Sequence, residues 1–369
     1  MKARIALSSS RASLKLDKEI FLNTNNSISN FENDLEVYYN NKRKVVALNS
    51  GTAAIHLALI LAGIEKNDLV ICQSFTFVAS VNPILYLGAS PVFIDSEKDT
   101  WNMCPLALEE SIKELLLNGK KPKAIIVVHL YGMPAKIEEL LAISLKYDIK
   151  LVEDAAEALG ATYKGQKCGT FGDFGIISFN GNKIISTSGG GALVCKTKKE
   201  KNKAIFLATQ ARDEAAHYQH SQLGYNYRMS NILASIGRGQ LEVLDDHVRL
   251  RRDMHHFYQE LFKNSKGITV FTEHSKDYFS NHWLSCIVVD DSITGFTRDD
   301  IRIKLSEENI ETRPLWKPMH MQPVFNHASY YGNNIAENLF KKGLCLPSGS
   351  NLTEKDKNRI STAIKSFLS

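Results

Sequence analysis

The sequence is short of paired cysteines. Its six, Cys72, Cys104, Cys168, Cys195, Cys286 and Cys345, show no metal-binding or dithiol spacing. This excludes a zinc module or a disulfide scaffold and leaves free thiols, buried or half-buried, in a reducing compartment. Long apolar runs are missing too. The longest, Ala53 to Ile64, is interrupted by His56 and falls well below the roughly 20 residues of a membrane span. The first ten residues, Met-Lys-Ala-Arg-Ile-Ala-Leu-Ser-Ser-Ser, lack the apolar centre of a secretory leader, so a cytoplasmic protein is expected. Aromatics are not interleaved with the basic runs Lys196–Lys203 and Arg249–Arg252, so these read as solvated helix faces and no nucleic-acid groove is expected. A net charge of +5 favours, at most, an anionic small substrate. There is no internal repeat or low-complexity tract.

What is present is the composition of a soluble globular protein, 44% hydrophobic and 23% charged. At 369 residues the chain exceeds what one core usually serves. We expect a large α/β domain over residues 1–250 and a small α+β domain over 251–369. Short β-branched runs at Val45–Leu48, Leu69–Cys72, Pro91–Asp95, Ala124–His129 and Lys150–Glu153 alternate with helical spacing at Thr52–Leu61, Val78–Leu87, Leu106–Leu117 and Ile137–Tyr147. That rhythm predicts a parallel sheet covered by helices on both faces. Phe174–Phe179 and Gly191–Cys195 then follow with no room for a crossover helix, which predicts an antiparallel addition. Helices across 199–212 and 230–263 lead to strands Gly267–Phe271 and Trp283–Val289 and helices Arg298–Glu308 and Lys355–Leu368.

Four segments at predicted strand ends carry chemistry. Asn49-Ser50-Gly51-Thr52-Ala53-Ala54 joins a strand to a helix, where free N–H groups and the helix dipole favour phosphate; an ordinary helix cap explains it equally. Val152-Glu153-Asp154-Ala155-Ala156-Glu157 ends the fifth strand, where open α/β sheets place ligands. Asp154 there can keep a pyridinium nitrogen protonated, whereas a plain capping box would use both carboxylates only to finish a helix. Ser178-Phe179-Asn180-Gly181-Asn182-Lys183, followed by Ser186 to Gly191, sets a lysine on a polar, glycine-rich loop from which it can reach a ring; most lysines are simply solvated. Gln73-Ser74-Phe75-Thr76-Phe77 offers Phe77 to lie on that ring, although most phenylalanines are core. A parallel sheet brings all four to one edge.

The ordered segments Asn49–Ala54, Ser74–Phe77, His129-Leu130-Tyr131-Gly132, Glu153–Glu157, Ser178–Lys183 and Gly224-Tyr225-Asn226-Tyr227-Arg228-Met229-Ser230 resemble the DegT/StrS-type sugar aminotransferases, from about residue 45 to the C-terminus. The resemblance implies the fold of aspartate aminotransferase, that is, pyridoxal-phosphate-dependent transferase fold type I: a mostly parallel seven-stranded sheet flanked by helices, with a smaller α+β C-terminal domain. It implies pyridoxal 5'-phosphate as cofactor, cycling through pyridoxamine 5'-phosphate. Lys183 becomes the Schiff-base lysine, Asp154 the partner of the pyridine nitrogen, and Glu157 the neighbour of the ring hydroxyl. Gly51, Thr52 and Ser178 hold the phosphate and Phe77 stacks on the ring. Asn226 reaches the phosphate from a second subunit, which implies a homodimer. Arg228, Arg313 and His320 match positions near the substrate. Related dehydratases carry histidine where Lys183 stands, so the lysine points to amino transfer.

Within the family, Arg313–His320 and Cys345–Gly349 resemble the UDP-sugar 4-aminotransferases of bacillosamine biosynthesis. The implied reaction moves an amine from L-glutamate to a 4-keto nucleotide sugar, UDP-2-acetamido-4-keto-2,6-dideoxyhexose. A dTDP-linked 3-keto substrate, a regulatory cofactor-binding protein and a colourless nucleotide-binding module are the alternatives. Two departures stand out. The Phe21–Phe31 segment is shortened, and His282 precedes Trp283 where the subfamily often has arginine, removing a permanent charge expected to grip a diphosphate.

Overall fold

The computed structural model describes residues 2–9 and 26–368. Part of the Phe21–Phe31 segment singled out above, residues 21–25, lies outside the described residues; Ser27 opens helix α1 (Ser27–Tyr38). The large sheet runs through β1 (Lys44–Leu48), β2 (Leu69–Gln73), β3 (Ser90–Ile94), β4 (Ala124–Val128), β5 (Lys150–Asp154), β6 (Phe174–Ser178) and β7 (Gly191–Cys195). Between them lie α2 (Gly51–Leu61), α3 (Pro105–Leu117) and α4 (Ile137–Tyr147). Strands buried on both faces need apolar side chains on both, and these strands divide theirs by parity. Ile71, Ile125 and Val127 enter one core with α3 and α4, while Val70, Cys72, Ala124 and Ile126 enter the other with α2.

The strand order is β1-β7-β6-β5-β4-β2-β3, and β11 (Ser329–Tyr331) adds an eighth strand beside β3. The predicted seven are all there; the extra edge strand comes from the C-terminal part of the chain. Three residues, Ser-Tyr-Tyr, carry too little pattern to announce a strand. Only β7 runs antiparallel, as the missing crossover predicted, and its Gly191 is in register with both Leu48 and Ser178. That register lays the start of α2 against the end of β6. Gly191 has no space for a side chain, because an added Cβ would sit 2.4 Å from the Gly51 nitrogen and 2.4 Å from the Ser50 carbonyl carbon. Gly191→Ala is therefore expected to destabilise by about 1–3 kcal/mol, the usual cost of overpacking. Thermal denaturation checks it; an unchanged Tm would mean that the two strand ends are not held together this tightly.

The segment predicted as one helix over 230–263 is two, α6 (Asn231–Glu242) and α7 (Leu244–Phe262), following α5 (Lys198–Ala208). Helix α7 runs unbroken past residue 250. A second sheet, antiparallel throughout, has the order β8 (Ile268–Val270), β9 (Ser285–Val289), β12 (Gly343–Leu346), β10 (Arg313–Pro314). Helices α8 (Arg298–Glu307) and α10 (Glu354–Leu368) cover it, with α9 (Ile335–Lys342) leading into β12. Met254, Tyr258 and Phe262 of α7 join this core, and so does Ile5, which bridges to Ile310. The N-terminal residues thus pack with the C-terminal sheet.

Candidate active site

The carboxyl ends of β1, β2, β4, β5 and β6 share one edge, and a cavity of about 870 Å³ opens there. Asp154, Lys183, Phe77, Ser178, Gly51 and Thr52 all line it. Four segments that lie up to about 130 residues apart in the chain meet in one place.

Asp154, the last residue of β5, is 5% exposed. Its Oδ2 accepts a hydrogen bond from Ser80 Oγ at 2.7 Å, and its Oδ1 accepts from the Ala156 N–H at 3.1 Å. Ser80 is held in turn by Thr76 Oγ1 at 2.9 Å. No helix follows β5, since residues 155–161 form turns. The capping-box explanation of Asp154 and Glu157 therefore does not hold. Glu157 instead accepts from the Tyr131 N–H at 2.8 Å and pairs with Lys183 Nζ at 3.1 Å. Tyr131 adopts a left-handed φ of 55°, a conformation costly for a bulky residue and kept where surroundings enforce it. Burial pushes the Glu157 carboxyl above its ordinary range, against the pull of Lys183 and the Tyr131 N–H.

Lys183 stands on the loop between β6 and β7, its Nζ 4.1 Å above the Trp283 ring. At the other end of the cavity, Ser50 caps α2 by accepting from the Ala53 N–H at 3.0 Å, so the cap reading is right for Ser50. It does not displace the phosphate reading. Gly51 approaches so close that an added Cβ would lie 3.3 Å from Ser178 Cβ, which brings the helix N-terminus and the Ser178 hydroxyl into one corner. Phe77 is 53% exposed and faces the cavity, 5.5 Å from the Trp316 ring. A flat heteroaromatic ring with a phosphate on one side and a nitrogen opposite fits these residues: a dipole-bearing corner, an open aromatic face, a buried carboxylate and an amine.

Other expected residues lie elsewhere. Arg313 is at the cavity mouth, paired with Glu311 at 2.9 Å. Arg228 does not line the cavity; it neutralises the buried Glu32 and donates to the Ala47 carbonyl at 3.0 Å. His320 lies behind the Ser74–Phe77 loop, 2.6 Å from Ser74 Oγ and 3.2 Å from Glu337, stacked on Tyr330. Asn226 is exposed, and its carbonyl accepts from Asn49 Nδ2 at 3.1 Å. His282 is buried and does not line the cavity. It meets Glu273 at 3.2 Å and stacks on His255 at 3.6 Å with planes 7° apart. Among the described residues these three are the one group of metal-ligand type. Parallel rings at that spacing keep their lone pairs parallel, and a zinc ion about 2.1 Å from each nitrogen cannot lie on both.

Sequence reasoning missed Ser80, Trp283 and the Tyr131 N–H. Ser80 had a signal, lying three residues beyond Phe77 within one helical turn. Trp283 had none, being 100 residues from the lysine it covers. The run Arg249–Arg252 was misread in part, because Arg251 is fully buried.

Comparison with known proteins agrees with this geometry. The model of the DegT/DnrJ/EryC1/StrS aminotransferase family matches residues 9–365. The chain is 52% identical over 322 residues to the putative pyridoxal phosphate-dependent aminotransferase EpsN of Bacillus subtilis (strain 168), covering 86% of this chain and 82% of that one. It is 36% identical to GDP-perosamine synthase of Escherichia coli O157:H7, over 96% and 93% of the two chains. A crystal structure of a DegT DnrJ EryC1 StrS aminotransferase from Brucella abortus superposes with a TM-score of 0.86 at 29% identity, over 93% and 90% of the chains. No described helix is long and apolar enough to cross a membrane. The chain belongs to the DegT/DnrJ/EryC1/StrS aminotransferase family and is a pyridoxal-phosphate-dependent sugar aminotransferase.

Proposed function

We propose that this enzyme transfers the amine of L-glutamate to carbon 4 of UDP-2-acetamido-4-keto-2,6-dideoxyhexose, leaving 2-oxoglutarate and the 4-amino sugar of bacillosamine type. The observation that carries the reading is the convergence of Lys183, Asp154 and Glu157 on one cavity with the Gly51–Ser178 corner. Pyridoxal phosphate, when bound, supplies a carbonyl that takes up amines and a ring that withdraws electrons from the adjoining carbon. The chain supplies the rest. Lys183 Nζ would hold the cofactor and, with the donor bound, would take the proton from the donor α-carbon. Asp154 keeps the ring nitrogen protonated, and the Ser80 hydroxyl orients its carboxylate. Glu157 is set beside the ring hydroxyl and the lysine. Gly51, Thr52 and Ser178 bind the phosphate, Phe77 lies on the ring, and Arg313 meets the substrate at the cavity mouth. The same groups act in reverse on the keto sugar, so ping-pong kinetics are expected.

The exposed Asn226 completes the phosphate site of a homodimer in this reading, as Asn226 of the partner subunit; Arg228 beside it and His320 support the segments that form the substrate side. The reading includes a cytoplasmic location and a large domain over 1–250 with a small domain over 251–369, joined through α7. Carbon 4 and the UDP carrier rest on the segments Arg313–His320 and Cys345–Gly349. A panel of UDP-, GDP- and dTDP-linked 3-keto and 4-keto sugars with L-glutamate tests them. Turnover is expected on the UDP-4-keto sugar. Turnover confined to a 3-keto or GDP-linked sugar would overturn the substrate, and cofactor colour without amino transfer on any of them would favour a regulatory protein.

A further inference from the structure

Arg251 on α7 is treated unlike the other basic residues of its run. It is 0% exposed, and among the described residues its guanidinium meets only uncharged oxygens. Nη1 donates to the Trp283 carbonyl at 2.6 Å and to the Ser348 carbonyl at 3.2 Å, while Nη2 donates to Ser8 Oγ at 3.1 Å. Burial pushes this guanidinium down to about 9. Taking a cation out of water without a counter-charge is costly, and so calls for a task that an apolar residue could not perform.

The contacts beyond it lead to one atom. Ser8 Oγ, accepting from Arg251, donates to the Asn182 carbonyl at 2.7 Å, and the Trp283 indole N–H donates to the same carbonyl at 2.7 Å. Asn182 immediately precedes Lys183, whose Nζ rests over the Trp283 ring. Beyond the lysine the loop is anchored, since Ile184 and Ile185 are buried in the core; on the side that precedes it packing is thin, and an added Cβ at Gly181 would meet only the Ser188 carbonyl at 3.8 Å. The N-terminal arm docks on the segment that Arg251 also reaches, since the Ser348 N–H donates to the Leu7 carbonyl at 2.8 Å and the Ser350 N–H to the Ser9 carbonyl at 3.1 Å, and Arg251 joins Ser8 to the Ser348 carbonyl. Leu7 and Ser8 line the cavity.

We propose that Arg251 is a positioning residue: it staples the Leu7–Ser9 arm and Trp283 into a two-donor clamp on the Asn182 carbonyl, which fixes where Lys183 meets the cofactor. This rests on the reading of Lys183 given above. Arginine suits the task because its planar fork serves three acceptors at once, which a lysine ammonium on a flexible stem does not. A small displacement of a reacting group costs rate far more than binding, so the clamp acts on turnover.

The test uses holoenzyme and reconstituted apoenzyme of Ser8→Ala, Arg251→Lys and the double variant. The readouts are kcat and KM for L-glutamate, and the rate at which the lysine–cofactor absorption returns when pyridoxal phosphate is added to apoprotein. Each single variant is expected to lower kcat and to slow the return of colour by about tenfold, with KM within about twofold. The double variant should be no worse than the more affected single one, because both interrupt one path. Wild-type kcat and colour return in folded Ser8→Ala would overturn the clamp, as would losses that simply multiply. Should Arg251→Lys not fold, Ser8→Ala decides alone, because that side chain is half-exposed at the end of the path. Lys183→Ala run alongside separates the two readings: persistent lysine-linked colour there refutes the role of Lys183, whereas a colourless Lys183→Ala beside unaffected Ser8→Ala and Arg251→Lys refutes only the clamp.

Discussion

Lys183→Ala is expected to lower amino transfer by roughly 10⁴-fold or more, because in the proposed function one side chain both carries the cofactor and moves the proton. The lysine-linked absorption should vanish with it. Stability should change in a way that depends on pH. Lys183 is the cation facing Glu157, whose carboxyl burial already pushes above its ordinary 4.5. Without the amine that shift grows. A carboxyl whose folded pKa is raised binds more protons folded than unfolded between the two values, so stability falls as pH rises through that window. The Tm deficit of Lys183→Ala relative to wild type, both as apoprotein, should therefore widen as pH rises above the ordinary 4.5. A deficit independent of pH would show that the Lys183–Glu157 pair is not what the removed amine stabilised, and retained activity would remove Lys183 from the chemistry.

Asp154→Asn should be almost as damaging to rate and much gentler on the fold. The amide can keep its oxygen towards the Ala156 N–H, 3.1 Å from Asp154 Oδ1, and turn its amino group to Ser80 Oγ, 2.7 Å from Oδ2, because a hydroxyl can also accept. What it loses is the charge that keeps a ring nitrogen protonated. Breaking a buried ion pair costs about 3–5 kcal/mol, which corresponds to roughly 10²–10⁴-fold in kcat. Steady-state kinetics beside thermal denaturation discriminates: a large fall in Tm with kcat preserved would make Asp154 a structural carboxylate. Both predictions test residue roles that the family assignment alone does not establish for this chain.

How far these roles were legible beforehand differs from residue to residue. Asp154 and Lys183 could be picked out because each ends or follows an apolar strand, and strand periodicity is visible within a handful of residues. Glu157 was legible as a carboxylate but not as the partner of Lys183, since a capping box and an active-site acid share the same spacing. Arg228 and His320 stand beside recognisable motifs, yet one neutralises Glu32 and the other is wedged between Ser74 and Glu337. Proximity in the chain to a motif is not proximity in space to its ligand. Arg251 looked like its neighbours Arg249 and Arg252, and nothing local marks the one that faces inward towards Ser8 and Trp283.

By itself the sequence determined the alternation of strands and helices, the antiparallel strand at Gly191–Cys195, and the presence of an amine, a carboxylate and a helix N-terminus near strand ends. Those features depend on steric and apolar patterns among residues a few positions apart. Tertiary structure alone decided that Trp283 covers Lys183, that Ser8 reaches Asn182, that Ser329–Tyr331 extends the large sheet, and that Arg251 is buried. Such pairings join residues scores to hundreds of positions apart, and they are selected by how whole layers pack and which polar groups must be satisfied once water is gone.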